Sequence, residues 1–294
     1  MKNYFLVKLG LFVSIVSILA GAFVRATGSG DGCGSTWPKC NGKIIPNLQD
    51  TSEIIEFLHR SISGFLLIIT LILFTKTFNL PKQNLIRKII VLLTFFVLLE
   101  AAIGAVIVLY EWVGMNSSVP RIIAVPIHLV NTFGLLGCYA TLFAVLKFDL
   151  KNLDGFFDLN FKLVGILFFL TGATGSIAAL SDVLYPSESF TQGLVADFDR
   201  SSELLTRLRI LHPIFSMFLS YVLVVQSKKI HKTFGINTKP LFYLVLFSVS
   251  LGILNVLSNI VLPLSILHLA TADILWITYI YVYLKKLKII NPIN

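Results

Sequence analysis

Charge is scarce in this chain. Only 13% of its 294 residues are Asp, Glu, Lys or Arg, about half the roughly 25% of a soluble domain. That shortage excludes an ordinary water-soluble fold. The apolar runs also lack the alternation of barrel strands; they are long and continuous, which favours helices. What is abundant is hydrophobic side chain, 56% of the whole. A bilayer core takes roughly 20 apolar residues per helix, and eight spans qualify, near 5–24, 56–75, 86–110, 122–146, 161–180, 208–227, 240–261 and 264–284. The first, with Lys2 and Lys8 before it and Ala20-Gly21-Ala22 at its end, imitates a signal peptide. Seven further spans favour an uncleaved anchor.

A net charge of +9 could point to nucleic acid, but its distribution points to lipid. With both termini inside, the outer segments hold only Arg25, Lys39, Lys43, Arg60, Arg121, Arg200, Arg207 and Arg209, eight of the 24 basic residues. The remainder fall on the inner side, as the positive-inside rule expects. The basic excess orients the protein against anionic membrane lipid, and no nucleic-acid partner is implied.

The spans read as a tandem repeat, 1–150 and 151–294, joined by the polar stretch Lys147–Asn160. The expected fold is all-α: two four-helix bundles related by a pseudo-twofold axis along the membrane normal. In each half the second and fourth spans carry a histidine near the outer end, His59 and His128, then His212 and His268. The long outer segments 25–53 and 181–207 correspond as well. One intramembrane histidine is as consistent with a hydrogen bond to a neighbouring helix as with a metal. Four in register favour two pairs of axial haem ligands in the outer leaflet. His231, among Lys228, Lys229 and Lys232, reads as solvated.

Glu56 stands three residues before His59, so both project from one helix face. A carboxylate one turn from a metal ligand can move protons or stabilise a developing cation; the simpler alternative, a first-turn Glu on the helix dipole, suits Glu53 better. The second half has Arg209 at the place of Glu56, and an arginine, like Arg60, suits a haem propionate. One site therefore reads as reactive and the other as holding a cofactor. A di-iron carboxylate centre is disfavoured, because it needs two Glu-x-x-His helices and further glutamates.

The first outer segment, Gly28 to Lys43, has Cys33 and Cys40 at either end of a tight Gly- and Pro-rich loop. On an oxidising face these could form a structural disulfide, a redox-active pair or part of a metal site. Zinc is disfavoured for want of further ligands. Cys-x-x-Cys-His is absent, which excludes covalent haem. Cys138, inside the fourth span, reads as a packing residue.

At this point the string Gly21-Ala-Phe-Val-Arg25-Ala-Thr-Gly-Ser-Gly30, with Cys33, Trp37-Pro38, Cys40-Asn-Gly-Lys43 and Pro46, resembles the first loop of the haem A synthase family. Glu56-x-x-His59-Arg60 and the segment Leu251–Leu257 with Pro263 and His268 extend the resemblance over nearly the whole chain. It implies an oxidoreductase that converts the C8 methyl of haem O to a formyl group by successive hydroxylation. His59 and His128 would bind the substrate haem, Glu56 would be catalytic, and His212 with His268 would hold a haem b cofactor. Implied partners are haem O, a haem O synthase and an electron-transfer protein, and self-association is compatible with such a chain. The expected place is a bacterial inner membrane, termini cytoplasmic and cysteine loop outside, since no Arg/Ser-rich transit peptide precedes the first span. One departure is that the segment Ser181–Arg207 has no cysteine, so a second disulfide found in some relatives is missing. A bis-histidine cytochrome for quinol-linked electron transfer, or a haem carrier for oxidase assembly, would explain the histidines but not Glu56 or the loop.

Overall fold

Polar caps and apolar runs together set the helices. The structure, a computed structural model, describes residues 4–291; Lys2 and the extreme ends of both expected halves lie outside that range. The first helix, α1, is Tyr4–Ala26, followed by α2, Thr51–Thr77, and α3, Leu85–Leu109. Next come α4, Val119–Phe148, and α5, Leu159–Leu184. Two short helices, α6 (Phe190–Phe198) and α7 (Leu204–Leu208), precede α8, Leu211–Phe234, then α9, Lys239–Leu257, and α10, Leu262–Ile290. Among the described residues there are no strands, only one isolated bridge between Cys40 and Lys43.

Asp50 caps α2 by accepting from the Ser52 and Glu53 amides, and Asn84 does the same for Ile86 and Arg87 at α3. These caps satisfy first-turn donors that would otherwise be orphaned. Proline occupies the first turn of α4, α9 and α10, where its missing N–H costs nothing. The caps explain why the helices outrun the apolar spans that predict them: α2 starts at Thr51, in polar sequence ahead of the apolar run. The segment 181–207, expected as a long loop, is instead largely helical in α5, α6 and α7. Ser189 caps α6 by accepting from the Gln192 amide, a local signal that a search for long apolar spans passes over.

Eight helices among the described residues are long and apolar enough to cross a membrane, α7 and α8 together forming the span Leu204–Phe234. The chain is a multi-pass, all-helical membrane protein. In α4, 67% of the apolar window is buried, against 17–39% in the other spans, so α4 is the central helix. It packs against α1, α3, α5 and α10. Trp276 of α10 donates to the Phe133 carbonyl of α4 at 3.0 Å, and Tyr139 of α4 bonds Thr70 of α2 at 2.8 Å. The outward faces of α3 and α9 carry exposed apolar side chains such as Phe95, Leu98, Phe247 and Leu254, the composition of a surface against lipid. Successive spans alternate in direction, so the starts of α2, α4, α8 and α10 share the end of the bundle that carries the cysteine loop. All four intramembrane histidines sit at that end.

Candidate functional site

Each of the four intramembrane histidines faces a glycine of the span before it. A Cβ on Gly21 of α1 would stand 2.9 Å from Cε1 of His59 on α2, and one on Gly175 of α5 would stand 2.9 Å from Cε1 of His212 on α8. The corresponding distances are 3.2 Å for Gly252 of α9 with His268 of α10, and 3.7 Å for Gly104 of α3 with His128 of α4. Four residues before each glycine, one helical turn away, lies the group beside the ring nitrogen Nδ1. His212 Nδ1 is 3.1 Å from the Thr171 carbonyl, and His268 Nδ1 is 3.1 Å from the Ser248 carbonyl. For His59 the residue at this place is Ser17, whose backbone lies near the imidazole, and His59 Nδ1 makes no hydrogen bond. The glycine explains the contact: without a Cβ the ring reaches the helix backbone, whose carbonyl has a second lone pair to offer.

A carbonyl only accepts, so Nδ1 of His212 and of His268 must carry the proton. Nε2 is left with its lone pair, the state that binds a metal. The two ring centroids are 6.1 Å apart with planes at 86°. Two metal–imidazole bonds of about 2 Å each, with the ring radii, span about 6 Å, so the separation of this pair matches that of two axial imidazoles on one metal. Among the described residues, no three or more His, Cys, Asp and Glu side chains group as a bare metal-ion site. A haem asks only two donors of the protein.

Around His59 the side chains differ. Glu56 and His59 share a helix but not a partner. One Glu56 oxygen accepts from the Cys33 amide at 2.8 Å, and the other from Arg60 at 2.5 and 3.1 Å. Arg60 also donates to the carbonyls of Thr36 at 2.6 Å and Lys39 at 2.8 Å. The cysteine loop is thereby fastened to α2 beside His59. Cys33 and Cys40 form a disulfide, and Cys40 Sγ lies 3.4 Å from a Glu53 oxygen. Cys138 is free and buried. His231 lies at the far end, Nδ1 2.9 Å from the Ile236 carbonyl.

Arg209 and Arg60 are both already engaged. Arg209 pairs with Asp182 at 2.8 Å and Asp197 at 2.7 Å, and reaches the Gly193 carbonyl at 3.2 Å. Each histidine region therefore has an arginine–carboxylate pair at the end of the bundle that carries the cysteine loop, which lessens the Glu/Arg contrast read from sequence. Sequence reasoning also passed over Glu100. Its carboxylate accepts from Asn131 Nδ2 at 2.6 Å and Thr132 Oγ1 at 2.5 Å, and lies 3.2 Å from His128 Nδ1. Asp273 of α10 is fully buried with neither oxygen hydrogen-bonded. Both are acidic residues inside apolar spans, a signal that was available.

The sequence matches the COX15-CtaA family of cytochrome oxidase assembly proteins over residues 4–280. The chain belongs to that family. This COX15-CtaA protein is 32% identical over 290 residues to a "Protoheme IX farnesyltransferase" of Thermus thermophilus, covering 95% of this chain and 47% of that protein. The chain thus spans about half the length of that relative. It is 26% identical over 289 residues to a "Heme A synthase" of Staphylococcus epidermidis, covering 93% of this chain and 91% of the relative. A "Heme A synthase" of Staphylococcus aureus is 25% identical over 274 residues, 90% and 86% of the two chains. Membership of the family agrees with the resemblance carried by the first loop, Glu56-x-x-His59 and the four histidines.

Proposed function

We propose that this protein is a haem A synthase, oxidising the C8 methyl of haem O to a formyl group. The observation that carries the reading is the geometry of His212 and His268, two imidazoles with Nε2 free and rings 6.1 Å apart. The same glycine-backed pattern at His59 and His128 supports a second haem site. The halves 1–150 and 151–294 are then the substrate half and the cofactor half. Haem b held by His212 and His268 would supply one-electron redox chemistry. The relatives matched over most of their length bear the name heme A synthase. The farnesyltransferase name belongs to a protein of which this chain matches 47%, and we assign no farnesyl transfer to this chain. A farnesyltransferase that supplies the substrate is its natural partner, together with an electron-transfer protein.

Converting the methyl to the formyl group is a four-electron oxidation. Each of two hydroxylations adds an oxygen and withdraws two electrons, which leave to the electron-transfer partner, and the resulting gem-diol loses water. The chain's part is to hold the substrate ring by His59 and His128, exclude bulk water, and manage protons. Glu56 is the group for that last task, because it is a carboxylate one turn from His59 whose oxygens are already aligned by the Cys33 amide and Arg60. Arg60 and Arg209, at the same boundary, would bind propionates only by exchanging their present carboxylate or carbonyl partners. The distribution of basic residues supports a cysteine loop outside and both termini inside a bacterial inner membrane.

Co-expression with a haem O source, followed by mass spectrometry of extracted haem, tests this. Haem A should appear with the wild-type chain and be lost with Glu56→Ala while haem b is retained. A folded, haem-loaded protein yielding only unchanged haem b and haem O would instead support an electron-transfer cytochrome or a haem carrier.

A further inference from the structure

The four histidines share one register rule and break it once. The residue four before the backing glycine is Ser17, Thr171 and Ser248 in α1, α5 and α9. For His212 and His268 its main-chain carbonyl is the group beside the imidazole, and for His59 the Ser17 backbone lies near the ring. In α3 that residue is Glu100, four before Gly104, and its side chain takes the place of the carbonyl. The Glu100 carboxylate is not loose. Asn131 Nδ2 donates to one oxygen at 2.6 Å while also donating to the Phe96 carbonyl at 3.0 Å, and Thr132 Oγ1 meets the other oxygen at 2.5 Å. Asn131 and Thr132 belong to α4, three and four residues after His128, so they stand on the same helix face as the histidine. Thr132 Oγ1 also lies 2.8 Å from the His128 carbonyl. One carboxylate oxygen is therefore fixed 3.2 Å from His128 Nδ1. The contact is close but off the ring N–H direction, which leaves Nδ1 without an aligned partner.

We propose that Glu100 is a positioning residue for the substrate site: it turns His128 so that Nε2 faces the iron, and makes that imidazole a stronger electron donor than His212 and His268, whose Nδ1 atoms meet carbonyls. A ligating histidine whose other nitrogen meets a carboxylate is oriented and made more basic by it, and a more donating axial ligand favours the ferric state. The two haem sites then differ in the iron and not only in the proton-handling side chains. Glu100 would lower the potential of the haem at its own site relative to the same site without the carboxylate.

This inference rests on His128 being a haem ligand, and the test separates the two. The full chain, purified in detergent and loaded with haem b at both sites, is titrated potentiometrically and examined by electron paramagnetic resonance. Wild type should give two one-electron components, and His128→Ala should remove one of them. Glu100→Gln keeps an acceptor facing Nδ1 but weakens the donation. It should retain both haems and move only the His128 component upward, by about tenfold in the reduced-to-oxidised ratio, ~59 mV, with a changed ferric signal. Glu100→Asp should recover part of the shift. If His128→Ala loses a component but Glu100→Gln leaves both potentials and both signals as in wild type, the role of Glu100 is overturned. If His128→Ala keeps both components, the ligand assignment itself is overturned.

Discussion

The imidazole of His212 lies against Gly175 so closely that a Cβ there would stand 2.9 Å from Cε1 and 3.0 Å from Nδ1. The same glycine exposes the Thr171 carbonyl one turn away, which holds Nδ1 at 3.1 Å. Ring position and tautomer are thus set by the absence of one methyl group.

Gly175→Ala should displace His212 and, with His212 as a proposed axial ligand, lower haem binding, because the added carbon meets the rigid ring and not the end of a flexible chain. Overpacking of this kind costs about 1–3 kcal/mol, and the loss should be read as a severalfold fall in bound haem by pyridine haemochrome assay. Gly104→Ala, where the contact would be an ordinary 3.7 Å, should keep its haem. Equal effects at the two positions would show that the glycine backing has no bearing on the ligands.

Arg60 joins Glu56 to the cysteine loop from a largely buried position. Arg60→Ala leaves the Glu56 carboxylate unpaired, which for a buried ion pair costs about 3–5 kcal/mol. Adding Glu56→Gln should recover part of that loss, as measured by thermal melting in one detergent. If the double variant melts lower than Arg60→Ala by the full effect of Glu56→Gln alone, the two side chains are not coupled.

Cys33 and Cys40 close a short loop against α2. Replacing both by serine should cost about 2.5 kcal/mol in the chain-entropy account, lowering the melting temperature without unseating the haem proposed for His212 and His268. Loss of that haem in the serine variant would mean that the loop supports both sites.

Acid should destabilise the chain through Asp158, which caps α5 outside the membrane spans. Burial pushes this carboxyl up, but hydrogen bonds from the Tyr283 hydroxyl and the Phe161 amide, with Lys286 at 3.3 Å, outweigh it and hold it below the ordinary carboxylate range. A depressed folded-state value contributes stability above the unfolded value, near 4, and that stability is lost as pH falls through the folded one. Asp158→Asn should flatten the melting temperature below about pH 4 and leave the neutral-to-alkaline slope unchanged. An unaltered acid limb would place the sensitivity elsewhere.

The bilayer made much of the fold readable. A run of roughly twenty apolar residues has one stable solution in lipid, because every backbone group must be satisfied within the segment. The eight spans therefore appear in composition alone, and α4 and α5 part at the predicted polar join. The histidines were legible for the same reason, since imidazole in hydrocarbon demands a cause. Short helices such as α6 were not, because their signal is a cap and a few turns and not a long apolar run.

Sequence by itself determined that this is an eight-span helical membrane protein with four histidines and Glu56 near one end. It could not say which of 19 glycines back those histidines, that Glu100 stands where His212 and His268 meet a carbonyl, or that Arg60 and Arg209 are already paired. Those facts depend on which helix lies beside which, and on rotation about each helix axis. Hydropathy fixes length and depth in the membrane but is nearly blind to rotation; only packing decides that.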